Sequence, residues 1–328
     1  MKRAFPIVLV VLAGVSPAAA LVRYVDNVEN CGQRLPCHHS IMEAIDAAGA
    51  GDVIEIFPGV YHEDVTITDR SSLTLRAFSQ KGAKGRREFL LPVIACGSAG
   101  CPGVSVVRTP GMRIEHLLFE SGLSIVGVSE NAVVQGNVFE SSLFFSTCLD
   151  SIVRDNRFLD GDITALGAIR CVLERNIVSQ GQILTGLGDD SRNNIIRANV
   201  VAGGIRLTGD GTIENRIELN VITGGELLLS AGPVGMTGNV IRRNTVRNAG
   251  IRLTGAPLRN LVELNFVSGS PGDGIRIETI TGPSGANVIR LNTSVENAVC
   301  DINDVGVTTQ PNVWENNRFV TSCGNADG

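Results

Sequence analysis

Six hexapeptides in the second half of the chain share one alternation of polar and apolar positions. They are Asn194-Ile-Ile-Arg-Ala-Asn199, Asn215-Arg-Ile-Glu-Leu-Asn220, Asn239-Val-Ile-Arg-Arg-Asn244, Asn260-Leu-Val-Glu-Leu-Asn265, Asn287-Val-Ile-Arg-Leu-Asn292 and Asn312-Val-Trp-Glu-Asn-Asn317. Weaker copies end at Asn137, Asn156 and Asn176, and Ile114 to Phe119 is a degenerate earlier member with Leu117 at the Asn position. The spacing averages about 22 residues, a solenoid period. In each copy the residue three before the final Asn is apolar: Val134, Val153, Leu173, Ile196, Ile217, Ile241, Val262, Ile289 and Trp314. A second alternating segment follows, centred on Phe144, Thr164, Arg206, Leu228, Arg252 and Arg276. Short strands of period two, separated by Gly and Asn turns, predict the coils of a parallel β-helix. A leucine-rich repeat has a similar period but needs a Leu-rich strand and a helical return, and neither pattern is present.

The Asn positions have a physical reading. An Asn at a sharp turn tolerates positive φ, and stacked copies can pass side-chain amide hydrogen bonds along the axis. With coils about 4.8 Å apart, some eleven coils make a rod of roughly 50 to 60 Å. The expected layout is one parallel β-helix domain over 21–328, with a cap and irregular early coils at 21–130 and regular Asn-turn coils at 131–328. Ser40-Ile-Met-Glu43 reads as a capping box opening an amphipathic helix over 40–48, with Gly49 as its stop. That helix would cover the open edge of the first coil. Early strands are expected at Val53–Phe57, Val65–Ile67, Leu73–Leu75 and Val104–Val106, and Lys81 to Arg87 reads as a solvated basic loop.

Composition adds a compartment. Residues 1–20 run from Lys2 and Arg3 through an apolar core to small residues at Ala18 and Ala20, the form of a cleavable export signal. Its removal takes two of the 28 basic residues and moves the net charge from −5 to −7. Such a surface gives no reason to expect nucleic acid or anionic lipid as partner. No later stretch has the roughly 18 apolar residues of a membrane span. The expected location is secreted, periplasmic or on the cell surface. There, eight cysteines read as disulfides: Cys31 with Cys37, Cys96 with Cys101, and Cys148, Cys171, Cys300 and Cys323 as further candidates at spacings of 23 residues. Cys300 and Cys323 hold nearly equivalent coil positions, so stacking brings them within bridging reach. No metal site is expected, because all four histidines precede residue 117 and no Cys-x-x-Cys occurs. His38, His39 and His62, near Cys37 and Glu63, read as cap and turn residues.

Two outward columns carry charge. The residue two before each final Asn runs Arg154, Glu174, Arg197, Glu218, Arg242, Glu263, Arg290, Glu315. Unbroken alternation reads as a salt-bridge ladder that also penalises a slipped coil. The other column holds Arg206, Arg252 and Arg276, with Asp210, Glu226, Asp273 and Glu278 at its ends. Arginine forks bind carboxylates bidentately, which makes Arg206, Arg252, Arg276, Asp210, Asp273 and Glu278 the candidate substrate-binding set for an acidic polysaccharide. Solvated strand residues neutralised by these acids are the competing reading.

The run from Ala44 through Gly51-Asp-Val-Ile-Glu-Ile-Phe-Pro-Gly-Val-Tyr-His-Glu-Asp-Val-Thr-Ile67, together with the Asn-x-Ile-x-x-Asn copies, resembles secreted right-handed parallel β-helix proteins of the pectate-lyase-like superfamily. The resemblance spans the expected mature chain and implies the fold. It leaves activity open, because the fold carries lyases, hydrolases, epimerases and proteins with no known catalysis. Gly188-Asp-Asp190 is similar to the paired aspartates of polygalacturonases and Gly274-Ile-Arg-Ile277 to their substrate-binding Arg motif. No His follows His116, however, and Glu278 stands where that motif has Lys. Lysine- or tyrosine-based elimination finds no residue in the rod, since Lys84 is the last Lys and Tyr24 and Tyr61 are the only tyrosines. The resemblance then leaves an arginine base assisted by calcium. Arg252, Arg276, Asp189 and Asp190 are the catalytic candidates if the chain is a polysaccharide lyase or glycoside hydrolase. The alternative is a non-catalytic extracytoplasmic scaffold that self-associates through its C-terminal edge.

Overall fold

Three-residue strands such as Val172–Glu174, Ile195–Arg197 and Arg216–Glu218 lie side by side in parallel, each one coil further along the chain. A computed structural model describes residues 20–28, 30–81, 87–97, 103–127, 129–187, 190–280, 282 and 284–326. Their strands form three long sheets of 14, 14 and 11 strands, in which neighbours are successive coils. The architecture is a right-handed parallel β-helix of about eleven coils. Its first sheet holds the hexapeptide strands. The second sheet follows the final Asn, and the third holds the second alternating segments.

The expected inward column is in register throughout, from Val134 through Val153, Leu173, Ile196, Ile217, Ile241, Val262 and Ile289 to Trp314. With the inward residues of the other sheets it makes one continuous core. In the second sheet Phe119, Phe139 and Phe158 stack at 5.0 and 4.6 Å, the spacing of the coils themselves. Each coil buries its apolar side chains against the coils before and after it, so the core is a cylinder of nearest-neighbour contacts.

Two buried Asn ladders bracket the first sheet. Asn220 shows the repeating unit: its Nδ2 donates to Ile196 O at 2.9 Å and to Asn244 Oδ1 at 3.0 Å. Its own Oδ1 accepts from the backbone N and the Nδ2 of Asn199, both at 3.0 Å. This ladder runs from Asn137 to Asn317 and its companion from Asn194 to Asn312. The positive φ expected of these Asn residues belongs instead to the residue before all of them but Asn312, such as Ala198 at 54° and Leu219 at 60°. A left-handed residue turns the chain, and the Asn behind it then points its amide inward, where only hydrogen bonding along the axis can satisfy it.

The helix covers Ile41–Ala47, shorter by one residue at each end than expected, and packs Ile41, Ala44 and Ile45 onto the first coil. Ser40 Oγ accepts from Glu43 N at 3.0 Å, while Glu43 reaches one residue further back than a capping box predicts, to His39 N at 3.1 Å. Glu63 completes the cap by accepting from the N–H groups of Ile41 and Met42 at 2.8 and 3.0 Å. Gly49 is not a left-handed stop; its N–H bonds to Asp52 Oδ2 at 2.9 Å. The observed early strands are Val53–Ile56, Thr66–Thr68, Thr74–Ala77 and Val104–Val107. An antiparallel hairpin, Ser79–Lys81 with Arg87–Phe89, frames the basic loop, whose tip lies outside the described residues.

Cys31 pairs with Cys37, Cys148 with Cys171 and Cys300 with Cys323. The pairing expected for Cys96 involves Cys101, which lies outside the described residues. No helix is long and apolar enough to cross a membrane.

On the outer face of the first sheet the charged column forms as expected. Arg197, Arg242 and Arg290 each bind the Glu of the preceding coil, at 2.6 Å to Glu174, 2.7 Å to Glu218 and 2.8 Å to Glu263. Arg154 meets Gln135 instead, with Nε donating at 2.9 Å. The ladder resumes toward the N-terminus in the Arg76–Glu55 pair.

Candidate functional site

The third sheet departs from the repeat. Its strands lengthen to nine residues at Ile205–Ile213 and eleven at Leu227–Thr237, and their register shifts between Gly209 and Gly211. Next come Ile251–Gly255 and Ile275–Thr279, in plain parallel register. Alternation sends Ile205, Leu207, Leu227, Leu229, Ile251, Leu253, Ile275 and Ile277 inward, all buried. Arg206, Leu228, Arg252 and Arg276 therefore align outward, followed by Asn303. The sequence reading placed the first four correctly. It stopped one coil short of Asn303 and passed over the coil of Ile183–Gly186, which sets Leu184 beside Arg206.

Two of the three arginines are committed to acids. Arg252 donates through Nη2 and Nε to Glu278 Oε2, at 2.5 and 3.2 Å, and Thr254 Oγ1 donates to the same oxygen at 3.0 Å. Arg276 Nη2 reaches Glu278 Oε1 at 2.7 Å, while its Nη1 reaches Asp273 Oδ2 at 3.0 Å. Asn303 Nδ2 donates to that oxygen of Asp273 at 2.9 Å. Burial pushes the Glu278 carboxyl up, but Arg252, Arg276 and Thr254 outweigh it and hold it at about 2. Burial likewise pulls Arg276 down, and the bonds to Glu278 and Asp273 leave it raised. Arg206 differs: it is exposed and makes no ion pair or hydrogen bond among the described residues.

Beside this network lie two adjoining clefts, of about 190 and 240 Å³, which share Glu226, Gly250, Gly272 and Asp273. The smaller is lined by Arg252 and Arg276, the larger by Arg206. Close coil contact explains the glycines at 225 and 250. A Cβ on Gly225 would sit 1.8 Å from Gly203 O, and one on Gly250 would sit 2.4 Å from Asp273 O. No side chain fits there, so the coil corners stay open to a ligand. In the sequence these glycines read simply as turn residues, so their part in the site was missed.

The remaining candidates separate from this cluster. Asp190 is paired with Arg192 at 2.6 Å, Asp189 lies outside the described residues, and Asp210 is described only for its backbone. Glu63 serves the helix cap beside His62. Among the described residues, no three His, Cys, Asp or Glu side chains converge in a way that could hold a metal ion. Calcium needs six to eight oxygen ligands. Here both oxygens of Glu278 and one of Asp273 are taken by donors, and two guanidinium groups would repel the cation. The network does not fit calcium.

No protein-family model matches the sequence, and no curated protein matches it. Among solved structures, the chain is similar to the catalytic unit of a GH87 α-1,3-glucanase from Streptomyces thermodiastaticus, with 14% identity and a TM-score of 0.56 over 95% of this chain and 71% of that one. It is also similar to a mannuronic-acid-specific polysaccharide family 6 lyase from human gut microbiota, with 11% identity and a TM-score of 0.52 over 88% of this chain and 87% of that one. These similarities support the parallel β-helix fold.

Proposed function

We propose that this chain is an exported β-helix protein that binds an acidic polysaccharide across the outward face of its third sheet. The observation that carries the reading is the pair of adjoining clefts with the uncommitted Arg206 guanidinium at one of them. An exposed, unpaired guanidinium beside an open cleft is the group a carboxylate would bind bidentately. Two similar structures are named for action on polysaccharides, which supports a glycan as the ligand class. The signal-like leader and the disulfides support export.

Binding is the function these side chains serve best. A carboxylate held at about 2 is ionised at neutral pH and cannot donate a proton, so Glu278 is a counter-ion and not a general acid. In affinity electrophoresis through gels containing acidic glycans, wild-type protein should be retarded and Arg206→Ala should run at least tenfold less retarded. Arg242→Ala, on the first sheet, should match wild type. Equal loss in both variants, or no retardation by any acidic glycan, rejects the assignment. Incubation of the same glycans with the protein should yield neither new ultraviolet absorbance nor new reducing ends; either product would assign cleavage to the clefts.

A further inference from the structure

The second sheet carries an exposed apolar band on its outer face. We propose that this band is the contact surface of a homodimer, in which two rods lie side by side through their second sheets.

Two adjoining columns make the band. Parallel register aligns Ile177, Val200, Val221, Thr245, Phe266 and Thr293 along the outward side of the strands. Two residues before each lies a coil corner, and the corner column sets Leu219, Leu264 and Leu291 beside Val221, Phe266 and Thr293. Threonines aside, these seven side chains are 36 to 52% exposed. From Ile177 to Thr293 the two columns hold one charge, Arg243, and no carboxylate. The first sheet, by contrast, alternates Arg and Glu. An apolar surface with an aromatic and an Arg, but neither acid nor Lys, has the composition of an interface core.

The corner leucines add an independent observation. Leu219, Leu264 and Leu291 have φ of 60°, 56° and 55°. In that left-handed region a bulky side chain costs more than Gly, Asn or Asp. Earlier coils show the cheaper choices, with Gly136 and Asp155 in the same column. The three leucines therefore combine backbone strain with exposed apolar surface, and neither cost is recovered within the chain. Packing against an apolar partner recovers the second.

Area and repetition select a second copy as that partner. At these exposures the seven side chains present on the order of 600 Å², the upper end of the largest apolar patches on monomers. Two copies face to face would remove about 1,200 Å² from water, above the roughly 1,000 Å² that marks a specific interface. The pattern recurs coil by coil, so a two-fold axis along the rods sets the corner column of one copy against the strand column of the other, and the band complements itself. It lies where the second sheet leaves the first. The clefts border the other end of that sheet, at Gly224 and Gly225, so pairing leaves them open.

Sedimentation equilibrium of the intact protein, over a series from micromolar to near-millimolar, should show a reversible monomer–dimer equilibrium. Val221→Arg puts a charge at the centre of the band and should weaken the dimer at least tenfold. Leu264→Asn should weaken it threefold or more while leaving the thermal midpoint of the dilute monomer equal or higher, because Asn accepts the left-handed corner. A leucine that served only its own chain would show the opposite, a lower midpoint and an unchanged dimer. Arg206→Ala, on the third sheet, should dimerise as wild type does. Wild-type protein that stays monomeric throughout the series overturns the proposal, as does a dimer that resists both band substitutions. Dispersal by Val320→Arg, at the C-terminal edge, with Val221→Arg still dimeric, assigns self-association to that edge and overturns it equally. Leu264→Asn decides the matter where Val221→Arg does not fold.

Discussion

The first and third sheets are built from the same coils, yet one repeats almost without variation and the other does not. On the first sheet every regular coil gives three residues followed by a ladder Asn, from Asn194 onward preceded by one as well, and Arg197, Arg242 and Arg290 each find one Glu in the coil before. On the third sheet strands lengthen to nine and eleven residues, the register shifts, and Glu278 is shared between two arginines. The ladders explain how the difference is tolerated. With one wall of the coils from Asn194 onward pinned by buried amides at both of its corners, the opposite wall can lengthen, open and carry mismatched charge without losing the stack. Departure from the repeat, more than conservation of it, marks the face available for binding.

The comparison breaks first if the ladders are not what pins the coils. Asn220→Ala would leave two Asn199 donors, its backbone N–H and its Nδ2, without their shared acceptor and Ile196 O without its amide donor. Unmet buried groups cost about 1–3 kcal/mol each, so a loss on the order of 4 kcal/mol is expected. Urea unfolding followed by circular dichroism should show a large fall in midpoint. A loss below about 1 kcal/mol would mean the amides are dispensable and the regularity of the first sheet has another origin.

Next in size is the staple at the far end of the third sheet. Cys300 and Cys323 close a loop of 23 residues beside the last strands, Ile302–Val305 and Ser322–Gly324. Chain-entropy reasoning gives such a loop about 3 kcal/mol. Replacing both cysteines by Ser should make the last coil the earliest to exchange its amide hydrogens, while the first-sheet strand Ile195–Arg197 keeps its protection. Uniform loss of protection along the rod would show that the two walls do not differ in what holds them.

Much of this contrast was legible in the sequence, and the rest failed for identifiable reasons. The inward column, the cap and the alternating Arg–Glu ladder follow from periodicity, because a parallel register repeats each position one coil later. The backbone conformation at the corners did not: Asn is a common left-handed residue, but here Leu219 and Ala198 take that role and Asn220 and Asn199 are spent on the ladder. Nor did the partners of Arg252 and Arg276 follow from register alone. Register places Arg252 opposite Arg276, and only the side chains reaching across from Glu278 and Asp273 resolve that like-charge contact. The clefts were illegible because they are made by close backbone approach at Gly225 and Gly250.

The third-sheet network can be read through pH. Glu278 has a carboxyl depressed from an ordinary 4.5 to about 2. A depressed carboxylate contributes stability that is fully present above its unfolded value and disappears as pH falls through the folded one. Glu278→Gln should therefore be less stable than wild type by about 2 kcal/mol at pH 6, the worth of its charge-assisted bonds. The difference should shrink below pH 4.5 and close near pH 2. A gap independent of pH would show that Glu278 acts by packing and that Arg252 and Arg276 are not held by its charge.

The smallest effect is expected on the first-sheet ladder, where the pairs are more numerous and less consequential. Arg242 is about one-third exposed and donates to Glu218 at 2.7 Å, but Glu218 also lies 3.5 Å from Arg216 and keeps that partner when Arg242 is lost. Exposed pairs contribute about 0–1 kcal/mol. Arg242→Ala should therefore change the unfolding free energy by less than about 1 kcal/mol, and 0.5 M salt should erase most of that change by screening. Arg206→Ala should change stability as little, because Arg206 has no partner to lose, and yet it should abolish most glycan retention. Two arginine deletions with matched stability and opposite binding would separate a wall built to hold the rod from a wall left free to bind. If Arg206→Ala lowers stability as much as Asn220→Ala does, the third-sheet column is structural and the division between the walls fails.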